Sequence, residues 1–292
     1  MKLLHSNKSR LIVLTVTAGL FVTFLALASG GSVSASLETH ENIYINGDDN
    51  FTSANGVINP GAAGTESDPY IIENYIIDAS EVHGIQILDT TAHFIVRNCV
   101  VENGGSGNFG IYLDNVVNGR LENNRVENSR GLALSSADNN ILKFNEIINS
   151  SNNGFVLLNS DNNLLKNNYT SRIGNDSVES GLGLGNSSFN TVINNIFENN
   201  NLGILLFNNT EHNRLENNRI ENNNEGGIFL GGSNNTMSRS TIVNNNGRAG
   251  IFVGGGSKIV DNVGVYESSI RNNENGVLVS GMVGDNIVLS HD

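Results

Sequence analysis

The chain has 292 residues with 16 Lys and Arg against 29 Asp and Glu, so its formal net charge is −13. This charge disfavours nucleic acid as a partner, because phosphate binding needs clustered Lys and Arg. A single cysteine excludes a disulfide scaffold and a cysteine-based zinc site. Asparagine occurs 52 times, yet 38% of the residues are hydrophobic, which excludes simple polar disorder. Such a chain needs an architecture that uses many asparagines around an apolar core.

The first 28 residues are typical of an export signal. Three basic residues precede an uncharged run from Leu11 to Ala28, and this run ends in the small residues that signal cleavage requires. The same run is just long enough to span a bilayer if it is not cleaved. We therefore predict a signal peptide over 1–28, a secreted or cell-surface location, and membrane attachment only through an uncleaved signal.

A short element recurs along the rest of the chain, in which apolar residues occupy the first and third positions after a glycine. Its nine copies are on average 24 residues apart. They begin at Gly84, Gly110, Gly131, Gly154, Gly181, Gly203, Gly227, Gly250 and Gly276. A single register aligns these units in four columns of apolar residues, one of which runs from Ile85 through Ile111 and Leu132 to Val277. In all four columns only Thr170 breaks the apolar rule.

This repeat predicts the fold. A period of two within short segments indicates strands, and recurrence at a fixed longer period indicates coils that stack on one another. We predict an all-β, right-handed parallel β-helix of about nine to ten coils over residues 69–292, preceded by an N-terminal cap region at 29–68. After Gly276 we identify no cap, so we expect self-association at that end or continuation into a longer protein.

Asparagine suits the corners of such a coil, because it tolerates positive φ at little cost. Stacked coils also place equivalent side chains about 4.8 Å apart, so that carboxamides hydrogen-bond one another along the axis in ladders. One predicted ladder contains Asn140, Asn163, Asn190, Asn213 and Asn235.

Three sequence features carry a resemblance to a known family. They are the run GTESDPYIIENYIID from Gly64, the run FIVRNCVVENG from Phe94, and the LxNNxIxNN pattern of the coils. Together they resemble the exported NosD-like β-helix proteins, within a wider group of carbohydrate-binding and sugar-cleaving β-helices. The resemblance covers about residues 64–290. It implies the fold and leaves the function open, because binding proteins and several classes of enzyme share that fold.

The resemblance also implies metal ligands, since NosD relatives are associated with copper-site maturation. The residues do not support this role. His93 and His212 share a column, but they lie five coils apart, about 24 Å at ~4.8 Å per coil, and cannot bind one ion together. Copper-site maturation rests on the resemblance alone, and we keep it only as a second alternative function.

A sugar-cleaving site needs two carboxyl groups within roughly 5 to 10 Å of each other. At the outward positions after the repeat glycines, only Asp114 is acidic. Asp89 in the preceding coil and Tyr112 beside it complete the only set of candidate catalytic residues. We lean against an enzyme, and we keep a polysaccharide lyase, hydrolase or epimerase as the first alternative.

Two other outward features remain. Asp138 and Asp161 occupy the same position in successive coils, where a Ca²⁺ ion would neutralise their repulsion; the alternative is two solvated side chains. An outward apolar set also follows the repeat glycines, and it consists of Val156, Leu158, Leu205, Phe207, Phe229, Phe252 and Leu278. An apolar stripe on a solenoid indicates a partner site, unless a loop covers it. We predict a binding or structural role toward extracellular polysaccharide or a surface protein.

Overall fold

The computed structural model describes residues 36–174, 179–245, 249–254, 264–266, 269–279 and 288–290. These residues form a right-handed parallel β-helix, as predicted. Three parallel sheets run along it, and successive strands of the chain enter the three sheets in turn. Among the described residues, each sheet contains ten strands. We name the sheets A, B and C in the order in which the chain first enters them.

The strands are short, and most have three or four residues. Sheet A contains β1 (Glu38–His40), β4 (Tyr75–Asp78), β7 (Val100–Glu102), β10 (Arg125–Glu127), β13 (Glu146–Ile148), β16 (Tyr169–Ser171), β19 (Ile196–Glu198), β22 (Arg219–Glu221), β25 (Thr241–Val243) and β28 (Ser269–Arg271). Sheet B contains β2 (Ile43–Asn46), β5 (Ile85–Thr90), β8 (Ile111–Val116), β11 (Leu132–Ser135), β14 (Phe155–Leu158), β17 (Ser180–Gly185), β20 (Leu202–Phe207), β23 (Gly226–Leu230), β26 (Ile251–Val253) and β29 (Val277–Val279). Sheet C contains β3 (Tyr70–Glu73), β6 (Phe94–Arg97), β9 (Gly119–Glu122), β12 (Ile141–Lys143), β15 (Leu164–Lys166), β18 (Thr191–Ile193), β21 (Arg214–Glu216), β24 (Thr236–Ser238), β27 (Gly264–Tyr266) and β30 (Val288–Ser290). Two short 3-10 helices lie between β2 and β3, at Asp48–Asn50 and Ser53–Asn55.

The predicted columns form the core. Ile111 is the register partner of Ile85 in one neighbouring strand and of Leu132 in the other, and all three side chains are fully buried. The predicted exception, Thr170, is also fully buried. Its hydroxyl oxygen accepts a hydrogen bond from Nδ2 of Asn200 at 3.1 Å, so a polar residue is satisfied within an apolar column.

In the described part of the chain, three ladders of asparagines, all buried or partly buried, hold the corners, where one had been predicted. The predicted ladder contains Asn140, Asn163, Asn190, Asn213 and Asn235. The second contains Asn124, Asn145, Asn168, Asn195 and Asn218, and the third contains Asn200, Asn223, Asn245 and Asn273. Each ladder follows one corner along the axis of the solenoid.

The ladders contain hydrogen bonds to backbone groups in addition to the predicted bonds between carboxamides. The backbone N–H of Asn140 donates to Oδ1 of Asn163 at 2.8 Å, and Nδ2 of Asn163 donates to the carbonyl oxygen of Ala137 at 2.9 Å. Direct carboxamide contacts also occur, as between Nδ2 of Asn213 and Oδ1 of Asn235 at 3.0 Å. The ladders thus satisfy backbone groups at corners, where a sheet cannot supply the partner.

A second column of residues at each corner has positive φ. Asparagine fills most of these positions, as expected from its tolerance of left-handed backbone. Along the repeats, other residue types take the position at Asp89, Ser136, Phe144, Arg172, Phe189, His212 and Arg239. A bulky side chain in this conformation is unusual and costs free energy.

The repeat glycines are required by close packing between coils. A Cβ atom on Gly154 would lie 2.5 Å from the carbonyl oxygen of Gly181 in the next coil. On Gly110 it would overlap a methyl group of Val126. No larger residue fits at these two positions, and the same packing explains the other repeat glycines except Gly276, where a Cβ atom would have no neighbour within 4 Å.

The region predicted as a cap, 29–68, contributes strands as well as a cover. Within it, β1 and β2 pair with β4 and β5. Phe51 is buried and stacks on Tyr70 with 4.4 Å between the ring centroids, and Val57 forms an antiparallel bridge with Ile72. The segment around Phe51 and Val57 therefore covers the first strand of sheet C.

The predicted signal peptide at 1–28 lies outside the described residues. Within the described ranges, no helix has the length and apolar character needed to cross a membrane.

Candidate binding face

The predicted apolar set lies on the outward side of sheet B, and we call it the apolar platform. Its first column contains Val156, Leu205, Phe229, Phe252 and Leu278, with Gly183 as the register partner between Val156 and Leu205. Its second column contains Leu158 and Phe207, with Gly185 between them. Leu158 is 39% exposed and the other members are partly buried. The platform therefore spans six consecutive strands of one sheet.

Glycines allow the aromatic rings of the platform to lie close to the sheet. A Cβ atom on Gly231 would lie 2.9 Å from Cε1 of Phe229, and one on Gly185 would overlap the ring of Phe207. Phe229 and Phe252 are stacked, with 4.8 Å between their centroids and 19° between their planes. The two rings therefore pack on one another from strand to strand along the outward side of sheet B.

Charge is distributed unevenly among the three sheets. Within the strands that the structure describes, Asp89 and Asp114 are the only charged residues of sheet B, whereas sheet A has a net charge of −4 and sheet C of +2. The ion pairs between described side chains belong to the other two sheets, as for Arg125 with Glu146 on sheet A. Sheet B therefore has the least charged outward face of the three sheets, and this favours apolar and aromatic contacts with a ligand.

The predicted candidates near Asp114 lie on the same face, and the structure adds three residues to them. His83, Phe109 and Arg130 each precede a repeat glycine, so they share one register position in successive coils. The guanidinium carbon of Arg130 lies 4.7 Å from the ring centroid of Phe109. Tyr112 stacks on Phe109 at 5.4 Å, and its centroid is 5.5 Å from that of His83. We call these four residues the aromatic cluster.

The protonation of His83 follows from its contacts. Burial lowers the pKa of His83, and the charge of Arg130 lowers it further, so the imidazole is neutral at pH 7. Its Nδ1 lies 3.1 Å from the backbone N–H of Phe109 and accepts a hydrogen bond from it. The proton is therefore on Nε2. In this tautomer, the free nitrogen of His83 is a hydrogen-bond donor, and it is not a base.

The predicted catalytic residues are only partly brought together. Burial raises the pKa of Tyr112, the hydroxyl of Ser135 opposes this shift, and the carboxylate of Asp114 adds to it. Tyr112 and Asp114 therefore interact. Asp89 instead accepts a hydrogen bond from Nδ2 of Asn115 at 2.7 Å. It lies one residue after Leu88, the outward register partner of Asp114. Sequence analysis did not assign His83, Phe109 or Arg130 to this site, although their shared position before the repeat glycines was a readable signal.

The predicted calcium ligands have backbone partners. Oδ1 of Asp138 accepts a hydrogen bond from the backbone N–H of Asp161 at 2.6 Å, and Oδ1 of Asp161 accepts one from the N–H of Ser188 at 2.6 Å. The two carboxylates thus act as a ladder of acceptors between coils. No group of three or more His, Cys, Asp or Glu residues that could hold a metal occurs in the part of the chain that the structure describes.

The fold and this face define a class of protein, the parallel β-helix repeat proteins. The family model described as periplasmic copper-binding protein (NosD) matches residues 41–226 and 166–289. These matches cover more than half of the chain, which therefore belongs to the NosD family. No curated protein matches the sequence.

Several solved structures have a similar fold. One is the catalytic unit of an α-1,3-glucanase from Streptomyces thermodiastaticus, with a TM-score of 0.53 and 14% identity over 74% of this chain and 48% of that one. The periplasmic alginate epimerase AlgG gives 0.47 and 17% over 74% and 60%, and an alginate lyase from Paenibacillus gives 0.44 and 14% over 74% and 92%. At these identities the likeness shows the fold alone. The chain spans only 48% to 66% of the length of three such structures.

Copper, which the family description implies, does not fit the residues present. Imidazole, thiolate and thioether groups are the ligands that copper prefers. Among the described residues, Met237 is buried in the core, and burial raises the pKa of the Cys99 thiol to about 11, so Cys99 is not a thiolate. The ring of His212 stacks on Phe189 at 4.9 Å, and His83 lies in the aromatic cluster on another part of the solenoid. We derive no copper chemistry from this arrangement.

Proposed function

We propose that the chain is an exported polysaccharide-binding protein that holds a neutral glycan along the outward face of sheet B. One observation carries this proposal: the stacked rings of Phe229 and Phe252 lie on the outward side of sheet B, whose described strands contain no cation. The apolar side of a sugar ring stacks on aromatic rings of this kind, while its hydroxyl groups stay in water or meet polar neighbours.

The charge of the protein supports a neutral ligand on this face. The whole chain carries a net charge of −13, and the strands of sheet B add only Asp89 and Asp114. An acidic polymer would be repelled there, whereas a neutral polymer would not. The aromatic cluster supplies polar groups at one end of the same face, because Arg130 and the Nε2–H of His83 are donors and Asp114 is an acceptor.

Export is supported by the signal-like sequence at 1–28 and by the periplasmic description of the family. A polysaccharide ligand agrees with the activity of one protein that shares the fold, an α-1,3-glucanase. A surface protein is the other partner that an apolar platform fits. The experiment below separates these two partners.

The test compares the wild type with the double variant Phe229→Ser/Phe252→Ser. Binding to insoluble and soluble neutral glycans, such as cellulose, starch and dextran, is measured by pull-down and affinity electrophoresis. We expect binding by the wild type and at least about a tenfold loss in the variant, because both stacking surfaces are removed. Val100→Ser/Ile196→Ser, which removes apolar groups from the outward side of sheet A, serves as the matched control.

Unchanged glycan binding by a folded Phe229→Ser/Phe252→Ser variant contradicts the proposal. Absence of glycan binding by the wild type, together with capture of a surface protein that the same variant loses, assigns the platform to a protein partner instead. If neither ligand binds, the solenoid is a spacer and the proposal is wrong.

A sugar-cleaving activity is the second candidate function, and the interaction of Tyr112 with Asp114 beside His83 favours it. It predicts release of reducing ends or unsaturated sugars from a polysaccharide and loss of that release in Asp114→Ala. His83 is not the base of such a reaction, because its Nε2 carries a proton and its Nδ1 accepts a hydrogen bond from the N–H of Phe109. Binding without product release in the wild type would exclude this candidate.

A further inference from the structure

Lys143 and Lys166 are register partners on the outward side of sheet C. They are the only two lysines in the part of the chain that the structure describes. Other cations of this sheet are neutralised, because Arg97 pairs with Glu73 and Arg120 with Glu122. Neither lysine forms an ion pair with any described side chain.

The neighbours of the two lysines do not relieve their repulsion. Glu122 is the register partner of Lys143 on the other side, but its carboxylate binds Arg120 at 2.6 Å. Ile193 is the register partner of Lys166 on its other side. Like charges that are direct cross-strand neighbours are destabilising. The pair is thus an unneutralised positive site on a chain of net charge −13.

Phe144 follows Lys143 and adds an aromatic group at the same place. It has φ of 57° and is 52% exposed, in a corner column where asparagine stands at Asn123, Asn167 and Asn194. The left-handed conformation costs an ordinary L-residue free energy that asparagine and glycine largely avoid. The side chain recovers little of this by burial, and strain without a gain in stability points to a function.

We propose that Lys143, Lys166 and Phe144 form a second binding site, for an acid group on a polysaccharide. The two lysines are one coil apart, about 4.8 Å between backbones, so both ammonium groups can donate to a single carboxylate or sulfate ester. The sugar ring that carries the acid group stacks on Phe144. This site does not depend on a ligand at sheet B, and with such a ligand it would let one solenoid join a neutral polymer to an acidic one.

An acidic polysaccharide fits the site better than an anionic membrane does. The corner between sheets B and C carries Asp138 and Asp161, so a broad anionic surface that approaches sheet C would also meet these carboxylates. A slender polymer meets only the positive strip. The net charge of the whole chain adds to the repulsion of a membrane.

The experiment measures affinity for polygalacturonate and dextran sulfate, with uncharged dextran as the reference polymer. We expect the wild type to bind at least one of the acidic polymers, with affinity that falls as NaCl is raised. Lys143→Gln/Lys166→Gln should bind at least about tenfold more weakly. Arg219→Gln/Arg271→Gln, which removes the same charge from sheet A, should bind like the wild type.

Phe144→Asn separates binding from structure. It should weaken binding to the acidic polymer while it raises the melting temperature, because asparagine tolerates the positive φ. Phe229→Ser/Phe252→Ser should leave acid binding unchanged, so this proposal and the one for sheet B fail separately. The proposal is overturned if the lysine variant binds like the wild type, if the sheet A control loses as much affinity, or if only phosphatidylglycerol vesicles bind the wild type.

Discussion

Oδ1 of Asn168 accepts two hydrogen bonds from Asn145 in the preceding coil, one from the backbone N–H at 2.9 Å and one from Nδ2 at 3.1 Å. Nδ2 of Asn168 donates to the carbonyl oxygen of Leu142 at 2.9 Å. A single carboxamide therefore satisfies three polar groups of the preceding coil. Because every ladder repeats this arrangement, the corners of the solenoid are held by side chains where the sheets end.

Replacing Asn168 by Ala should destabilise the protein strongly. Asn168 is 2% exposed, and its loss leaves the N–H of Asn145 and the carbonyl of Leu142 without their partner in a buried site. Buried unsatisfied groups cost about 1–3 kcal/mol each, so we expect a loss of about 3 kcal/mol or more. Urea unfolding followed by circular dichroism measures it.

Asn167→Gly is the matched control for this change. Asn167 is adjacent, has φ of 57° and belongs to the corner column outside the ladders. Glycine accepts that conformation, so the free energy of unfolding should change by less than about 1 kcal/mol. Equal losses in the two variants would show that backbone conformation, and not the ladder, dominates the corner.

Gly154→Ala should destabilise the protein, and Gly61→Ala should not. A Cβ atom on Gly154 meets the carbonyl oxygen of Gly181 at 2.5 Å, and backbone cannot move aside as a flexible side chain can. Overpacking of this kind costs typically about 1–3 kcal/mol. No atom lies within 4 Å of a Cβ built on Gly61. Thermal unfolding of both variants checks the difference, and a stable Gly154→Ala protein would contradict the packing role of the repeat glycines.

The sequence predicts the core well because the repeat itself encodes register. Ile111 and Leu132 were expected to be vertical neighbours, and they are. The ladder through Asn140 was predicted, while the one through Asn168 was not. Its signal was present, since in each Asn-Asn pair of this ladder the first residue takes positive φ and the second is buried, but composition alone does not distinguish the two.

The candidate site was predictable only in part. Phe229 and Phe252 could be assigned to the outward side because alternation along a strand fixes the side. The meeting of His83 with Tyr112 depends on how a corner residue turns onto the neighbouring sheet, which periodicity does not describe. The positive charge of Lys143 likewise stays unneutralised because the carboxylate of Glu122 pairs with Arg120. Pairings of this kind among charged side chains are set by geometry that the sequence does not state.

Cys99 should make the stability fall at high pH. Burial raises the pKa of its thiol from 9.0 to about 11, although hydrogen bonds from the backbone of Tyr75 and Asn74 oppose the shift. The folded-state pKa lies above the unfolded one, so this contribution is fully present below pH 9 and is lost as the pH rises toward 11. The difference corresponds to about 3 kcal/mol. Cys99→Ala should lose this part of the pH dependence in urea unfolding measured between pH 8 and pH 11.

For Glu102, the shifted pKa predicts that a substitution stabilises the protein. Burial raises the pKa of its carboxyl, and the charges of Glu127 and Asp78 raise it further, while Arg125 opposes them. These acids are neighbours on the outward side of sheet A, where Asp78 is the register partner of Glu102. The folded-state pKa lies above the unfolded one, so ionisation of Glu102 at neutral pH destabilises the fold.

Glu102→Gln should therefore raise the melting temperature at pH 7, because it removes a repelled charge and keeps the shape of the side chain. The gain should disappear at a pH below the ordinary pKa of a glutamate, since the wild-type carboxyl is then also uncharged in both states. Glu198→Ala is the control on the same sheet, and it should lower the stability, because it removes the carboxylate that accepts a hydrogen bond from the hydroxyl of Tyr169 at 2.7 Å. A stabilisation of Glu102→Gln that persists at low pH would mean that packing, and not charge repulsion, is responsible.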